Sequence, residues 1–290
     1  MVTQVKFRRV LAPLDGSAMA DQALPLAVSI ASLAGARLEL ASVVDPREWA
    51  ATAHRLRLER RLRAHLQRAV VRIRASHPVR VSSVLLRGAV VDRLVTHTRA
   101  HGVDLIVMAT HGSGPASRAW FGSVTDELLR RATVPVLLVR PRAGQRPRTQ
   151  AAVPRRVVIP LDGSSAAERI IAPASSLAML WGADCRLLRA VPPDVNLQRA
   201  HARREHAVGY LERVWTHHLS ERRSSRWNIR AAVVPDVARW ILDYAGGRDD
   251  LIALTTSGRA GVERLLLGSV ADKIIRGSAG PVLVQSSRKA

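Results

Sequence analysis

Short runs of apolar and β-branched residues recur along the chain, separated by longer stretches in which apolar residues return every three or four positions. In the amino-terminal half the short runs are residues 9–14, 37–44, 80–86, 104–110 and 135–140. Continuous apolar runs of this length suit strands buried on both faces. Between them Ala20, Leu24, Ala27, Ile30 and Ala34 keep helical spacing and stop at Gly35, a residue free to take the left-handed conformation that ends a helix. Leu58, Leu62, Leu66 and Ile73 mark a second helix, and Asp92, Val95 and Arg99 lie on a third. Strands alternating with helices demand a parallel sheet joined by right-handed crossovers, so the expected fold is a doubly wound α/β domain with helices on both faces of the sheet.

The pattern occurs twice. RRVLAPLDG at 8–16 is answered by RRVVIPLDG at 155–163, an offset of 147. DLIVMATHG at 104–112 is answered by DLIALTTSG at 250–258, and FGSVTDELLRRATVPVLLV at 121–139 by LGSVADKIIRGSAGPVLVQ at 267–285. The offset there is 146, so one residue was lost between the landmarks. Gly182 takes the place of Gly35. The segment 141–154, PRAGQRPRTQAAVP, has no periodicity and reads as a linker. The expected organisation is a first domain at 1–142, a linker at 143–153 and a second domain at 154–290.

A chain of 290 residues has room for two such domains. Its longest apolar runs, 105–109 and 134–139, are far too short to cross a bilayer, so no membrane span is expected. The first residues reach Asp15 without an apolar signal core, which argues against secretion. Cys185 is the only cysteine, which excludes an internal disulfide framework and a cysteine-based zinc site, and no metal site is expected. A reducing, cytoplasmic setting fits. The formal charge is +22, and all but three of the 45 basic residues are arginine. Such a field attracts polyanions, nucleic acid included. Aromatic residues make up only 3%, however, which disfavours a base-stacking groove. The arginine-rich stretch 55–74 reads as an amphipathic helix with one solvated face, with docking of an acidic partner or nucleic acid as its alternative. Trp120, Trp181, Trp215, Trp227 and Trp240 read as core or interface anchors.

In open parallel sheets ligands bind at the carboxyl ends of the strands, where the strand order reverses. Asp15 and Asp162 end the opening strand of each copy and are followed by Gly-Ser. A carboxylate there accepts a hydrogen bond from a ribose hydroxyl or a base edge, or else caps the next helix, and both readings stand. The fourth strand ends in Ala109-Thr110-His111-Gly112, and nine residues separate Gly112 from Gly122-Ser123-Val124 at the head of a helix. The second copy repeats this with Thr255 to Gly258, nine residues, then Gly268-Ser269-Val270. Glycine lets a phosphate approach the backbone, and the free amides of a helix start supply an anion site. There is no P-loop, no dinucleotide fingerprint and no hydrolase elbow.

These motifs resemble the universal stress protein (UspA-like) family in its tandem two-domain form. The resemblance covers nearly the whole chain outside the linker. It implies two five-stranded, mostly parallel domains of the adenine nucleotide alpha-hydrolase-like type that bind ATP in a stress response. By that resemblance Asp15 contacts the adenosine, Val43 lines the adenine pocket, and Gly112, Gly122, Ser123 and Val124 hold the phosphates, with Pro13, Leu14, Met108 and Ala109 beside them. Asp162, Ala190, Thr255, Gly258, Gly268, Ser269 and Val270 correspond in the second copy. The family's first motif glycine is Ala109 here and Thr255 in the second copy, and the larger threonine restricts backbone approach more. The first copy is therefore expected to be the stronger nucleotide site, with the second a weaker site or a structural partner. Mg²⁺ would arrive on the phosphates, and no residue is assigned a catalytic role, so a nucleotide-dependent sensor or regulator is expected. A slow ATPase and a basic interaction module are the alternatives. The last strands, 136–140 and 282–285, fall at sheet edges, and family members pair such edges, so an internal pseudo-dimer of the two domains and a further homodimer are expected.

Overall fold

A computed structural model describes residues 5–45, 52–110, 122–141, 153–219, 227–256 and 268–286. The chain divides into two compact units, residues 6–152 and 153 onward. In the first, the strands are β1 (Arg9–Pro13), β2 (Arg37–Val44), β3 (Arg80–Arg87), β4 (Leu105–Ala109) and β5 (Val136–Val139). The helices are α1 (Leu24–Ala34), α2 (Thr52–Ser76), α3 (Val90–Ala100) and α4 (Ser123–Arg131). The strands lie in the order β3-β2-β1-β4-β5, and every described pairing is parallel. The second unit has β6 (Arg156–Pro160), α5 (Ser165–Glu168), α6 (Ile171–Trp181), β7 (Asp184–Val191), α7 (Leu197–Leu219) and β8 (Trp227–Val233). It continues with α8 (Val237–Tyr244), β9 (Asp250–Thr256), α9 (Ser269–Gly277) and β10 (Val282–Ser286). Its order, β8-β7-β6-β9-β10, is the same, again parallel. In each unit the last strand closes one end of that unit's own order.

The apolar runs form the sheet's interior as expected: Val10, Leu11 and Ala12 of β1 and all of β4 are buried, as are Val157, Val158 and Ile159 of β6. Right-handed crossovers put helices on both faces, and α3 packs on α4 as α8 packs on α9. Gly35 and Gly182 both end their helices at φ 64°, the left-handed cap expected of them.

Two expectations need correction. The helix that the spacing starts at Ala20 is broken: a 3-10 turn at Ala20–Ala23 precedes α1. Pro25 has no N–H to give the carbonyl four residues back, so the Leu24 amide bonds to Asp21 instead, in the tighter three-residue pattern. Of the two roles expected of the tryptophans, core or interface anchor, the core role does not hold for the described ones. Trp181, Trp215, Trp227 and Trp240 are all half-buried, and Trp181 and Trp227 sit at the end of α6 and the start of β8, where an indole can leave one edge outside the sheet's packing. Trp120 lies outside the described residues, as does the expected linker up to 152.

An aspartate at the amino end of the fourth strand secures the opening strand in both units. Asp104 Oδ2 accepts the Arg8 and Arg9 amides at 2.6 and 2.9 Å. Its counterpart Asp250 instead grips the Arg156 guanidinium with both oxygens, at 2.8 and 2.6 Å.

Candidate functional site

In the first unit the strand order reverses between β1, whose crossover runs to β2, and β4, its other neighbour. Register places the carboxyl ends of these three strands together. Pro13 pairs with Ala41 and Leu11 with Ile106, so two and four residues further on Asp15 stands level with Val43 and Thr110. The structure thus brings Pro13, Leu14, Asp15, Val43, Met108 and Ala109 to one rim. Leu14 is held in the rim by its amide, which reaches the Ala41 carbonyl at 2.7 Å, and by its own carbonyl, which accepts the buried Ser42 hydroxyl at 2.7 Å. Met108 and Ala109 are buried, and Asp15 and Val43 are half-buried.

The choice between ligand carboxylate and helix cap for Asp15 is narrowed by geometry. Asp15 Oδ1 accepts the Ser17 amide at 2.9 Å in a local turn through Gly16, whose φ is 81°. Ser17 Oγ in turn accepts the Ala20 amide at 3.1 Å. The serine therefore secures the start of the following turn, and the aspartate shapes the loop at the strand end.

The other half of the motif returns to the same place. The Gly122 amide donates to the Thr110 carbonyl at 3.2 Å, and the Thr125 hydroxyl reaches that carbonyl at 3.3 Å. The start of α4 is thereby fastened to the end of β4, although 111–121, with Gly112 and His111, lie outside the described residues. Thr110 and Thr125 were not among the expected site residues. The signal for them was their position, the last residue of the apolar fourth strand and the third residue after the helix glycine. The far end of α4 is fixed by Arg131, which bridges Glu127 and Asp92 of α3 at 2.6 and 2.5 Å.

Gly122 is the N-cap of α4 and, being glycine, offers no side chain to the amides of the helix's first turn. A helix start left without a cap presents N–H donors and the positive end of the helix dipole. Gly122 has an ordinary φ of −68°, and a Cβ added to it would meet only the Thr110 carbonyl, at 3.8 Å. Neither backbone strain nor its described neighbours require glycine there.

The second unit repeats the rim. Pro160 pairs with Leu188 and Val158 with Ile252, which sets Asp162 level with Ala190 and Thr256. Asp162 Oδ1 accepts both the amide and the hydroxyl of Ser164, at 2.9 and 2.6 Å, and Ser164 Oγ caps α5 through the Ala167 amide at 3.1 Å. Gly268 is the uncapped N-cap of α9, with Ser269 and Val270 exposed beside it. Thr255 is half-buried in β9, and Gly258 lies outside the described residues. Asp162 itself is exposed, unlike Asp15.

Beside this second rim stands a network with no counterpart of the same chemistry among the described residues of the first. The Arg189 guanidinium carbon lies 4.5 Å from the centre of the Tyr210 ring, a cation–π contact. The Tyr210 hydroxyl donates to Glu168 Oε1 at 2.8 Å, and His218 Nε2 is 3.4 Å from Glu168 Oε2. Burial first, and then the bond to Glu168, raise the Tyr210 pKa far above its ordinary value, so the phenol stays a donor. Arg189 and Tyr210 were not singled out in the sequence. The signal was available, because the 147-residue offset sets Arg189 opposite Ser42.

The universal stress protein family profile matches residues 6–140 and 154–285, once for each unit. The chain belongs to the universal stress protein family. A universal stress protein of Mycolicibacterium smegmatis is 26% identical over 306 aligned residues, which cover 96% of this chain and 97% of that one. A universal stress protein of Thermus aquaticus is 31% identical over 140 residues, 46% of this chain and 99% of its own. Among solved structures, a universal stress protein of Archaeoglobus fulgidus superposes with a TM-score of 0.72 at 17% identity, covering 98% of this chain and 100% of that one. That likeness establishes the doubly wound fold. No described helix is long and apolar enough to cross a membrane.

Proposed function

We propose that the first domain of this universal stress protein binds an adenine nucleotide, ATP, along the rim of β2, β1 and β4, and that occupancy regulates a partner in a stress response. The carrying observation is the start of α4, which has a glycine at its N-cap and is tied by Gly122 to the end of β4 on the same rim as Asp15. The residues present fit the ligand. Ser123 and Val124 amides would hold phosphate oxygens, Asp15 would accept from the adenosine, and Val43 would pack on the base. Among the described residues no three His, Cys, Asp or Glu side chains gather to hold a metal, so Mg²⁺ would be carried by the phosphates and water. Binding needs only these groups, and the reading assigns no turnover.

We place the domains at 1–142 and 154–290 with the linker between, assign the protein to the cytoplasm, and expect β5 and β10, as end strands, to pair within the chain or between two chains. A second reading, a basic interaction module for nucleic acid, is favoured by α2, on which Arg57, Arg60, Arg61 and Arg68 are all exposed. Denaturing the purified protein and resolving the released nucleotide by ion-pair chromatography tests the first reading. ATP should co-purify with the wild type and be lost in Gly122→Val, whose side chain would fill the approach to the helix start. Wild-type protein that carries no nucleotide, and takes none up on titration, overturns it. DNA binding with a steep salt dependence that Asp15→Ala leaves untouched would then favour the second.

A further inference from the structure

We propose that the second domain is closed to adenine nucleotide by its own Arg189, so that the chain holds a single nucleotide, and that this one side chain decides the stoichiometry. The inference rests on the nucleotide reading of the rim and extends it to the second copy.

The two rims share one strand register, and one of the differences between them lies at the turn that follows the strand-end aspartate. In the first domain that turn is Asp15-Gly16, and the residue before Val43 is Ser42, whose short side chain folds back to donate to the Leu14 carbonyl. The atom facing Gly16 is a methyl of Leu62, 3.0 Å from where a Cβ would stand. In the second domain the turn is Asp162-Gly163, and the residue before Ala190 is Arg189. A Cβ on Gly163 would stand 2.7 Å from the guanidinium carbon of Arg189. The flat guanidinium therefore lies against the Asp-Gly turn on one side and over the Tyr210 ring on the other, next to the strand-end aspartate that, on the nucleotide reading, meets the adenosine.

The arm is held there by its surroundings. Tyr210 is anchored through Glu168, which stands where the first domain has Asp21, and His218 closes on the same carboxylate. Asp21 instead binds His65 at 2.9 Å, an imidazole where Glu168 holds a phenol. Arg189 itself makes no hydrogen bond or ion pair among the described residues, and its Nε is buried without a partner. It packs into the rim as a plug rather than tying one element to another. Replacing it removes the plug and leaves the hydrogen bonds of the strand and of Tyr210 in place.

Equilibrium dialysis with radiolabelled ATP, counting moles bound per chain at saturation, tests this on the wild type, on Arg189→Ser, and on each combined with Gly122→Val. The expected counts are one for the wild type, two for Arg189→Ser, none for Gly122→Val and one for the double variant. A wild type that binds two overturns the proposal whatever the variants do, as does a folded Arg189→Ser that stays at one. A wild type that binds none while Arg189→Ser binds one refutes the reading of the first domain and upholds the plug. None in either refutes both. If Arg189→Ser does not fold, a wild-type count of one that Gly122→Val abolishes supports a closed second domain, and one that survives it overturns the proposal.

Discussion

The two copies keep the same strand order, the same glycine C-caps at Gly35 and Gly182 and the same local turn after the strand-end aspartate, yet they solve three positions differently. Where the first copy has a serine folded into its strand, the second has a stacked arginine. Where the first fixes the end of its last helix with the Arg131 ion pairs, the second has Gly277, and Leu242 of α8 packs so close that a Cβ there would stand 2.5 Å from a leucine methyl. Where Asp104 serves backbone amides, Asp250 serves a guanidinium. Each exchange preserves the frame and changes what the rim presents or what the frame depends on.

The sharpest way to break the comparison is at the aspartate that opens the fourth strand. Asp250 is nearly fully buried, with a side-chain exposure of 4%, and it binds Arg156 with both oxygens and the Gly247 amide at 3.3 Å. Its loss strands that amide and leaves the guanidinium to water, since Arg156 is 39% exposed. Asp250→Ala should cost the second domain about 2 kcal/mol, the range for losing hydrogen bonds to a charged group. Asp104→Ala, which frees only amides near the surface, should cost the first domain about 1 kcal/mol. Calorimetric unfolding of both variants checks this. Equal losses would mean that the arginine adds nothing to the frame.

A smaller effect isolates the arm. Gly163 sits at φ 87°, so any side chain there is strained, and Gly163→Ala also drives a methyl into the Arg189 guanidinium. The backbone term alone is about 1 kcal/mol. Displacing the guanidinium should bring the total to roughly 2 kcal/mol, and in the Arg189→Ser background the same substitution should cost only the backbone term. A thermodynamic cycle over the four proteins measures the coupling. Zero coupling would place the guanidinium away from Gly163 in solution.

Much of this was legible in the sequence. The apolar runs and the double occurrence of RRV-x-x-PLDG announced a duplicated parallel sheet with helices on both faces, because buried strands and a repeated turn leave little freedom. The rest depended on long-range contacts. Arg189 is one arginine among many, and nothing local says that its partner ring lies 21 residues on, in α7. The grip of Asp250 on Arg156 was hidden for the same reason: in a chain with 45 basic residues an ion pair has no distinctive spacing. Pro25 could have been read as a break in the first helix, but the apolar period ran through it undisturbed.

The smallest predicted difference is one of pH, and it falls on the second rim. Burial pushes the His218 imidazole below its usual pKa, against the opposing pull of Glu168, while its neighbour His217 lowers it further. The unfolded chain therefore takes up this proton at a higher pH than the folded one. Above about pH 6.5 both states are neutral here and the contribution is whole. As pH falls through that value toward the lower folded pKa, the unfolded state gains the proton first and stability declines, by the linkage between proton uptake and folding. Glu168 is also the anchor of Tyr210, so a charged His218 would compete for the carboxylate that holds the ring beneath Arg189. His218→Gln should flatten this part of the stability profile of the second domain between pH 7 and 5, read from urea unfolding at several pH values. An unchanged slope in the variant would show that His218 does not titrate across folding and would remove it from the network that holds the arm.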